Sequence, residues 1–139
     1  MTTPSLLELN PGDNQGIREI LLGAYLTVSN LEGARRVLTA YADDCSAVFA
    51  WGRVLERLLS QQVTEAEAAL ASARKGNRFV ELYLTGAKKL PRTMPGMYSL
   101  GSMEEAQLCL ESLSGAWAEH PQAIFWLMTQ LMTGTESAR

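Results

Sequence analysis

The sequence predicts an all-α fold of about seven helices arranged as antiparallel hairpins. In seven separate stretches, apolar residues recur every three or four positions, which is the period of a helix with one buried face. No stretch alternates apolar and polar residues with the β-branched enrichment of a strand. With 139 residues, of which 47% are hydrophobic and 19% charged, the chain is long and apolar enough for a single domain with its own core.

The first two helices form a predicted hairpin. The first is expected over residues 13–28, with Asp13 or Asn14 as its cap. Its apolar stripe consists of Ile17, Ile20, Leu21, Ala24, Tyr25 and Val28. The second is expected over residues 31–42, with Asn30 as its N-cap. Because two residues separate them, an antiparallel hairpin is favoured.

The third and fourth helices have different N-terminal signals. Asp43 and Asp44 precede the third helix, and their carboxylates can accept hydrogen bonds from the free amides of its first turn. Thr64 followed by Glu67 is a capping-box pattern that opens the fourth helix. The two helices are predicted to end at Ser60 and Gly76.

A fifth helix and a loop follow. Asn77 is the predicted cap of the fifth helix, which ends by Leu90 because Pro91 disfavours helical geometry in the residue before it. Over 91–101 proline and glycine are too closely spaced for a regular element, so this segment is predicted to be a loop.

The last two helices are expected over residues 102–133. Ser102 followed by Glu105 is a second capping box, and Pro121 suits the first position of a helix. Residues 134–139 are predicted to be a frayed tail, and residues 1–12 an N-terminal stub.

A pattern of apolar residues recurs along the chain. Its three copies are Ala34, Leu38 and Tyr41, then Ala66, Leu70 and Ala73, then Ala106, Leu110 and Leu113. The interval is 32 residues (34 to 66) and then 40 (66 to 106), and the longer interval contains the loop. A small residue at the first position lets two helices approach closely, as stacked hairpins require.

These residues resemble the tetratricopeptide repeat (TPR), whose second helix carries an alanine, a large apolar residue four positions later and a small residue three beyond. Leu21, Tyr25, Ala34 and Leu38 fall on the family's spacing, whereas Leu22 and Tyr41 depart from it. The resemblance covers roughly residues 6–77. It implies hairpins stacked as a short right-handed solenoid that binds another protein.

The last third has a second resemblance, to the closing segment of divergent TPR-like proteins of uncharacterised bacterial families. The residues that carry it are Tyr98, Ser99, Gly101, Ser102, Glu104, Glu105, Ala106, Ala116, Trp117, Pro121, Ala123, Trp126 and Leu127. This resemblance implies a helical scaffold and no catalytic residue.

Charge and residue content disfavour several classes of function. The net charge of −3 gives no general attraction to nucleic acid or to anionic membranes. Cys45 and Cys109 lie far apart and His120 is the only histidine, so we expect neither a metal site nor a cofactor. Two thiols without a secretory leader predict a cytoplasmic protein, and no uninterrupted apolar stretch is long enough to span a membrane.

Catalysis is not expected, because no convergent set of catalytic residues can be identified. Cys45 and His120 are the one nucleophile and base that could pair, so a small Cys-dependent hydrolase is kept as a remote alternative.

One segment of the chain is strongly basic. Between Arg74 and Arg92 six basic residues stand against Glu81 alone, a balance of +5, while the remainder of the chain carries −8. These cations either stabilise helix ends or form a site for an acidic peptide or carboxylate terminus. The candidate partner-binding residues are Arg53, Arg57, Arg78, Tyr83, Lys88 and Lys89, with Tyr83 as an apolar wall.

The N-terminal stub carries Leu6, Leu7 and Leu9, which are typical of the last turn of a helix whose partner is missing. Either the stub folds back as a cap, or a second copy covers the open face in a homodimer. The sequence therefore predicts a non-catalytic protein-protein interaction module that binds a peptide or protein, with self-association as the alternative.

Overall fold

Helices α1 to α7 make up the regular structure. The computed structural model describes the backbone of residues 14–93 and 95–137, and the side chains of 16–93 and 95–133. The helices are α1 (Asn14–Thr27), α2 (Leu31–Ala40), α3 (Ala47–Leu59), α4 (Val63–Gly76), α5 (Val80–Leu84), α6 (Met103–Ala118) and α7 (Pro121–Ser137). No strand occurs in the described ranges, which confirms the all-α prediction for this part of the chain. Leu6, Leu7 and Leu9 lie outside the described residues.

Helix α3 occupies the centre of the molecule. It packs against α1, α2, α4, α6 and α7. Its buried residues accordingly cover most of its circumference: Ala47, Val48, Phe49, Trp51, Gly52, Val54, Leu55 and Glu56. Helix α1 also packs against α6, so the first and last thirds of the chain are in direct contact.

The α1–α2 and α3–α4 hairpins have the same turn. Ser29 and Gln61, 32 residues apart (29 to 61), both adopt left-handed backbone geometry, with φ of 61° and 64°. In each turn the next amide donates to a carbonyl five residues back, at 2.7 Å for Asn30 to Tyr25 and 2.9 Å for Gln62 to Arg57. The predicted first hairpin is therefore present, and the second hairpin closes in the same way.

The recurring pattern forms part of the core. Its residues are buried in all three copies apart from Tyr41, which is half-buried: Ala34, Leu38, Ala66, Leu70, Ala73, Ala106, Leu110 and Leu113. The helical spacing therefore identified the packed side of α2, α4 and α6.

The predicted starts of α3 and α4 are wrong by a few residues. Ser46, not an aspartate, caps α3, and its hydroxyl accepts from the amide of Phe49. The carboxylate of Asp44 instead accepts from the amide of Ser46 and pairs with Arg18. Helix α4 begins at Val63 without a side-chain cap, so the capping box predicted at its start does not form.

The predicted fifth helix is much shorter in the structure. It ends at Leu84, and Gly86 then adopts φ of +83°, a geometry that leaves the right-handed helix. Asn77 is the C-cap of α4 instead of the start of a long helix. At the other end of the chain, α7 continues to Ser137, beyond its predicted end at residue 133.

Helix α1 packs through a face that overlaps only in part with the predicted one. Of the predicted stripe, Leu21 and Tyr25 pack half-buried against the core. Leu22, Gly23 and Leu26 are buried, whereas Ile20 and Val28 of the predicted stripe are 67% and 71% exposed. A Cβ on Gly23 would lie 2.3 Å from the carbonyl oxygen of Ser112 on α6. The close approach of these two helices therefore requires glycine, and it selects the face of α1 that is buried.

Leu70→Ala is expected to lower the free energy of unfolding by about 2–5 kcal/mol, because Leu70 is 2% exposed and its removal leaves a cavity. Val63→Ala, at a position 48% exposed on the same helix, is expected to cost less than about 1 kcal/mol. Chemical denaturation followed by circular dichroism measures both. Equal losses for the two variants would show that α4 packs through another face.

Candidate functional site: an arginine-lined groove

A groove of about 270 Å³ lies between α2 and α3. Three guanidinium groups line it together with small and apolar side chains, and the lining residues are Arg35, Leu38, Thr39, Ala42, Arg53, Glu56 and Arg57. Helix α2 contributes Arg35 and helix α3 contributes Arg53 and Arg57, so the packing of α2 on α3 creates the groove.

The carboxylate of Glu56 fixes two of the three guanidinium groups. Glu56 is fully buried, and its Oε2 accepts from Arg35 Nε at 2.8 Å and from the Ser60 hydroxyl at 2.6 Å. Its Oε1 accepts from Arg57 at 2.7 Å. Arg35 donates again to the Ser60 hydroxyl. Charge-assisted hydrogen bonds of this length hold both guanidinium groups in place at the groove.

Backbone carbonyls hold the third guanidinium, that of Arg53. It donates to the carbonyl oxygens of Tyr41 and Ala42, just after α2, at 3.4 and 3.2 Å. It also donates to the carbonyl oxygen of Asp44 and lies 5.9 Å from the ring of Phe49. Burial lowers the pKa of Arg53, with Asp44 acting in the opposite direction, and an arginine in this setting keeps its charge at neutral pH.

The groove has a positive charge balance. Its lining contains three guanidinium groups and the single carboxylate of Glu56, which leaves +2. The side chains of Arg35 and Arg57 are 50% and 40% exposed, so donors not used by Glu56 reach solvent. Arginine recognises carboxylates through paired N–H donors, and the groove can therefore bind a carboxylate-bearing ligand.

The structure brings two of the predicted partner-binding residues into this groove and places the other four outside its lining. Arg53 and Arg57 line the same groove. Tyr83 does not line it. Its hydroxyl accepts from Gln107 of α6 at 2.8 Å. Arg78 lies over the ring of Phe79 at 4.8 Å. Residues 88 and 89, both lysines, are exposed in the segment after α5.

Arg35 and Glu56 were not identified from the sequence. They are 21 residues apart and belong to different helices, so no helical spacing connects them. The basic segment at 74–92 has a larger charge excess than α2, so the charge distribution in the sequence indicates that segment instead. An acidic residue on the apolar side of α3 was the available signal for a buried carboxylate.

Other candidates from the sequence do not contribute to this groove. Cys45 precedes α3, whereas His120 lines a cleft with Leu58 and Leu59 in the last turn of α3. A helix of 13 residues is about 20 Å long, so the cysteine and the histidine do not meet. A further side chain of α3, that of Trp51, also lies outside the groove: it is fully buried, and its indole donates to the carbonyl oxygen of Asn77 at 3.1 Å.

Residues 14–93 and 95–137 contain no group of three or more histidine, cysteine or acidic side chains placed to hold a metal ion. Among the described helices, none has the length and apolar character needed to cross a membrane. Comparisons of the chain with models of protein families, with curated proteins and with solved structures found no match.

Glu56→Ala is expected to lower the free energy of unfolding by about 1–3 kcal/mol. It leaves two guanidinium groups without their shared acceptor, and their partial exposure keeps the loss below that of a fully buried pair.

Glu32→Ala is the matched control, because Glu32 is 87% exposed and pairs with Arg36 on the surface of α2. This variant is expected to stay within about 0.5 kcal/mol of the original chain. Urea denaturation compares the two, and a loss for Glu56→Ala no greater than that of the control would contradict the anchoring role of Glu56.

Proposed function

We propose that the chain is a non-catalytic module for protein-protein interaction, and that the groove between α2 and α3 binds an acidic peptide segment or a C-terminal carboxylate. The charge balance of +2 on the lining residues supports this proposal most strongly. Glu56 balances only one of the three guanidinium charges, and the carboxylate of a ligand can balance part of the remaining charge.

Preorganisation adds to this argument. Arg35 and Arg57 are held by Glu56, and Arg53 is held by carbonyl groups near the end of α2. A ligand that meets fixed donors loses less binding free energy to the ordering of long side chains. The exposed side chains of Thr39 and Ala42 supply a surface for the aliphatic portion of a peptide.

We also propose a TPR-like relation between the first two hairpins. Their identical turns and their buried Ala34 and Ala66 share the interval of 32 residues (29 to 61, 34 to 66). In a linear stack each repeat contacts only its neighbours. The packing of α1 on α6 departs from that rule, so the proposal covers the part of the chain up to Asn77.

Lys88 and Lys89 form a second basic surface. In the described part of the chain neither lysine has an ion-pair partner, and both are exposed. An acidic partner that binds there instead of in the groove is the competing location for the same function.

The proposal is tested with a fluorescent peptide of alternating glutamate and serine with a free C-terminus, beside the same peptide carrying glutamine for glutamate. We expect the glutamate peptide to bind more tightly. Its affinity is expected to fall as the salt concentration rises, because added salt shortens the Debye length, which is about 10 Å at 0.1 M, and screens the attraction between the charges. Fluorescence anisotropy measures the dissociation constants.

Matched variants locate the site. Arg53→Gln with Arg57→Gln is expected to weaken binding of the glutamate peptide by about tenfold or more, which corresponds to about 1.4 kcal/mol. Arg36→Gln is the control, because Arg36 lies beside Arg35 on α2 but is outside the groove lining. This control is expected to bind within about twofold of the original chain.

The reversal of Lys88 and Lys89 to glutamate separates the two locations. If that variant loses binding while the double arginine variant keeps it, the groove is not the site. Equal affinity for the glutamate and glutamine peptides would contradict the proposal as a whole. The helical circular dichroism signal checks that each variant is folded.

A further inference from the structure

Helix α1 has its charged residues on its packed side. Arg18 pairs with Asp44 at 3.1 Å, and Glu19 lines a cleft beside Glu105 and Cys109. In the described part of α1 these are the only charged residues, so the face turned to solvent has none. This arrangement is the reverse of an ordinary surface helix, whose outer face is charged or polar.

The outward face carries a stripe in which small and large apolar residues alternate. Gly16, Ile20, Ala24 and Val28 follow one another at intervals of four and are all exposed. Ile20 and Val28 are 67% and 71% exposed, and a Cβ placed on Gly16 would meet nothing within 4 Å. Within the described residues, this ridge thus presents two large side chains, Ile20 and Val28, and two gaps at the small residues Gly16 and Ala24.

We propose that this stripe is a self-association surface, on which α1 of a second copy lies antiparallel. In an antiparallel pair centred midway between residues 20 and 24, Gly16 faces Val28 of the other copy and Ile20 faces its Ala24. Each large side chain therefore meets a gap. The same patch is used on both copies, as a closed two-fold dimer requires.

Charge and shape favour a second copy over other occupants. An identical uncharged face can be buried against this one without desolvating any charge. Within the described residues, exposed large apolar side chains also occur on α7 (Phe125, Met128 and Met132) and between residues 97 and 103, but neither set alternates large and small residues at intervals of four along a helix. An α1–α7 pairing would join two different patches, whereas the α1 stripe is complementary to itself, as a two-fold axis through the contact requires.

Sedimentation equilibrium on the full chain tests the proposal. The original chain is expected to approach about twice 15.2 kDa as its concentration rises. Ile20→Glu places a charge on the ridge and is expected to raise the dissociation constant of the dimer by at least about tenfold. Met132→Glu, at an equally exposed position on α7, is expected to leave it unchanged.

Cross-linking tests the antiparallel register. Gly16→Cys and Val28→Cys are made separately with Cys45→Ser, because Cys45 is the exposed cysteine. Cys109 is buried, and burial raises the pKa of its thiol well above the usual range, so it does not compete for the reagent. A short bismaleimide is expected to link a mixture of the two variants. Either variant alone is expected to remain unlinked, because equivalent positions lie about 18 Å apart along the helix axis.

Three results would overturn the proposal. The first is a monomer at every concentration, which would mean that this chain covers the ridge itself or leaves it open. The second is dissociation by Met132→Glu but not by Ile20→Glu, which would place the interface on α7. The third is efficient linking of a single cysteine variant to itself, which would show a parallel pair.

Discussion

The carboxylate of Glu105 joins three parts of the chain that are distant in sequence. Its Oε2 accepts from the amide of Ala47, the first residue of α3, at 2.9 Å. Its Oε1 accepts from the side-chain amide of Asn77 at 3.0 Å and from the amide of Gly101 at 2.8 Å. A negative charge at the N-terminus of α3 is favourable, and these donors satisfy a carboxylate that is 5% exposed. Since the carbonyl of Asn77 in turn accepts from Trp51, the first half of α3 is tied to the junction after α4 and to the start of α6.

The groove depends on this placement of α3. Glu105 holds the N-terminal end of the helix, and Glu56 ties its C-terminal end to Arg35 of α2. Arg53 lies on α3 between Ala47, whose amide binds Glu105, and Glu56, and Arg57 follows Glu56 directly. The positions of both guanidinium groups therefore follow from the position of the helix. The buried acids therefore serve both the packing and the proposed binding surface. The outward ridge of α1 is a separate consequence of packing, because Gly23 allows α1 to approach α6 and thereby turns Ile20 and Val28 to solvent.

Local signals in the sequence predicted the helices and their caps better than the contacts between helices. Asn30 and Ser102 were identified as N-caps because a cap acts within one turn of its own helix. The buried side of α4 followed from Leu70 and its helical neighbours.

Glu105 was identified as part of a capping box, but its bond to the amide of Ala47 joins residues 58 apart, which spacing along one helix does not reveal. Of the stripe predicted on α1, Leu21 and Tyr25 pack half-buried against the core, whereas Ile20, Ala24 and Val28 are exposed, because periodicity alone does not fix which side of an apolar helix is packed. Of the three arginines that line the groove, Arg53 and Arg57 were candidates from the sequence because they share a helix, whereas Arg35 joins them only through tertiary packing.

A double-mutant cycle between Asn77 and Glu105 tests most directly whether this buried contact organises the structure. Asn77→Ala removes the amide donor but keeps the carbonyl that binds Trp51, and Glu105→Ala removes the acceptor. Unfolding free energies of the original chain, both single variants and the double variant give the coupling between the two side chains. A coupling of about 1–3 kcal/mol is expected for residues that share one buried network. If the two losses add to within about 0.3 kcal/mol, Asn77 and Glu105 do not act as one network, and the organising role assigned to this buried carboxylate is contradicted.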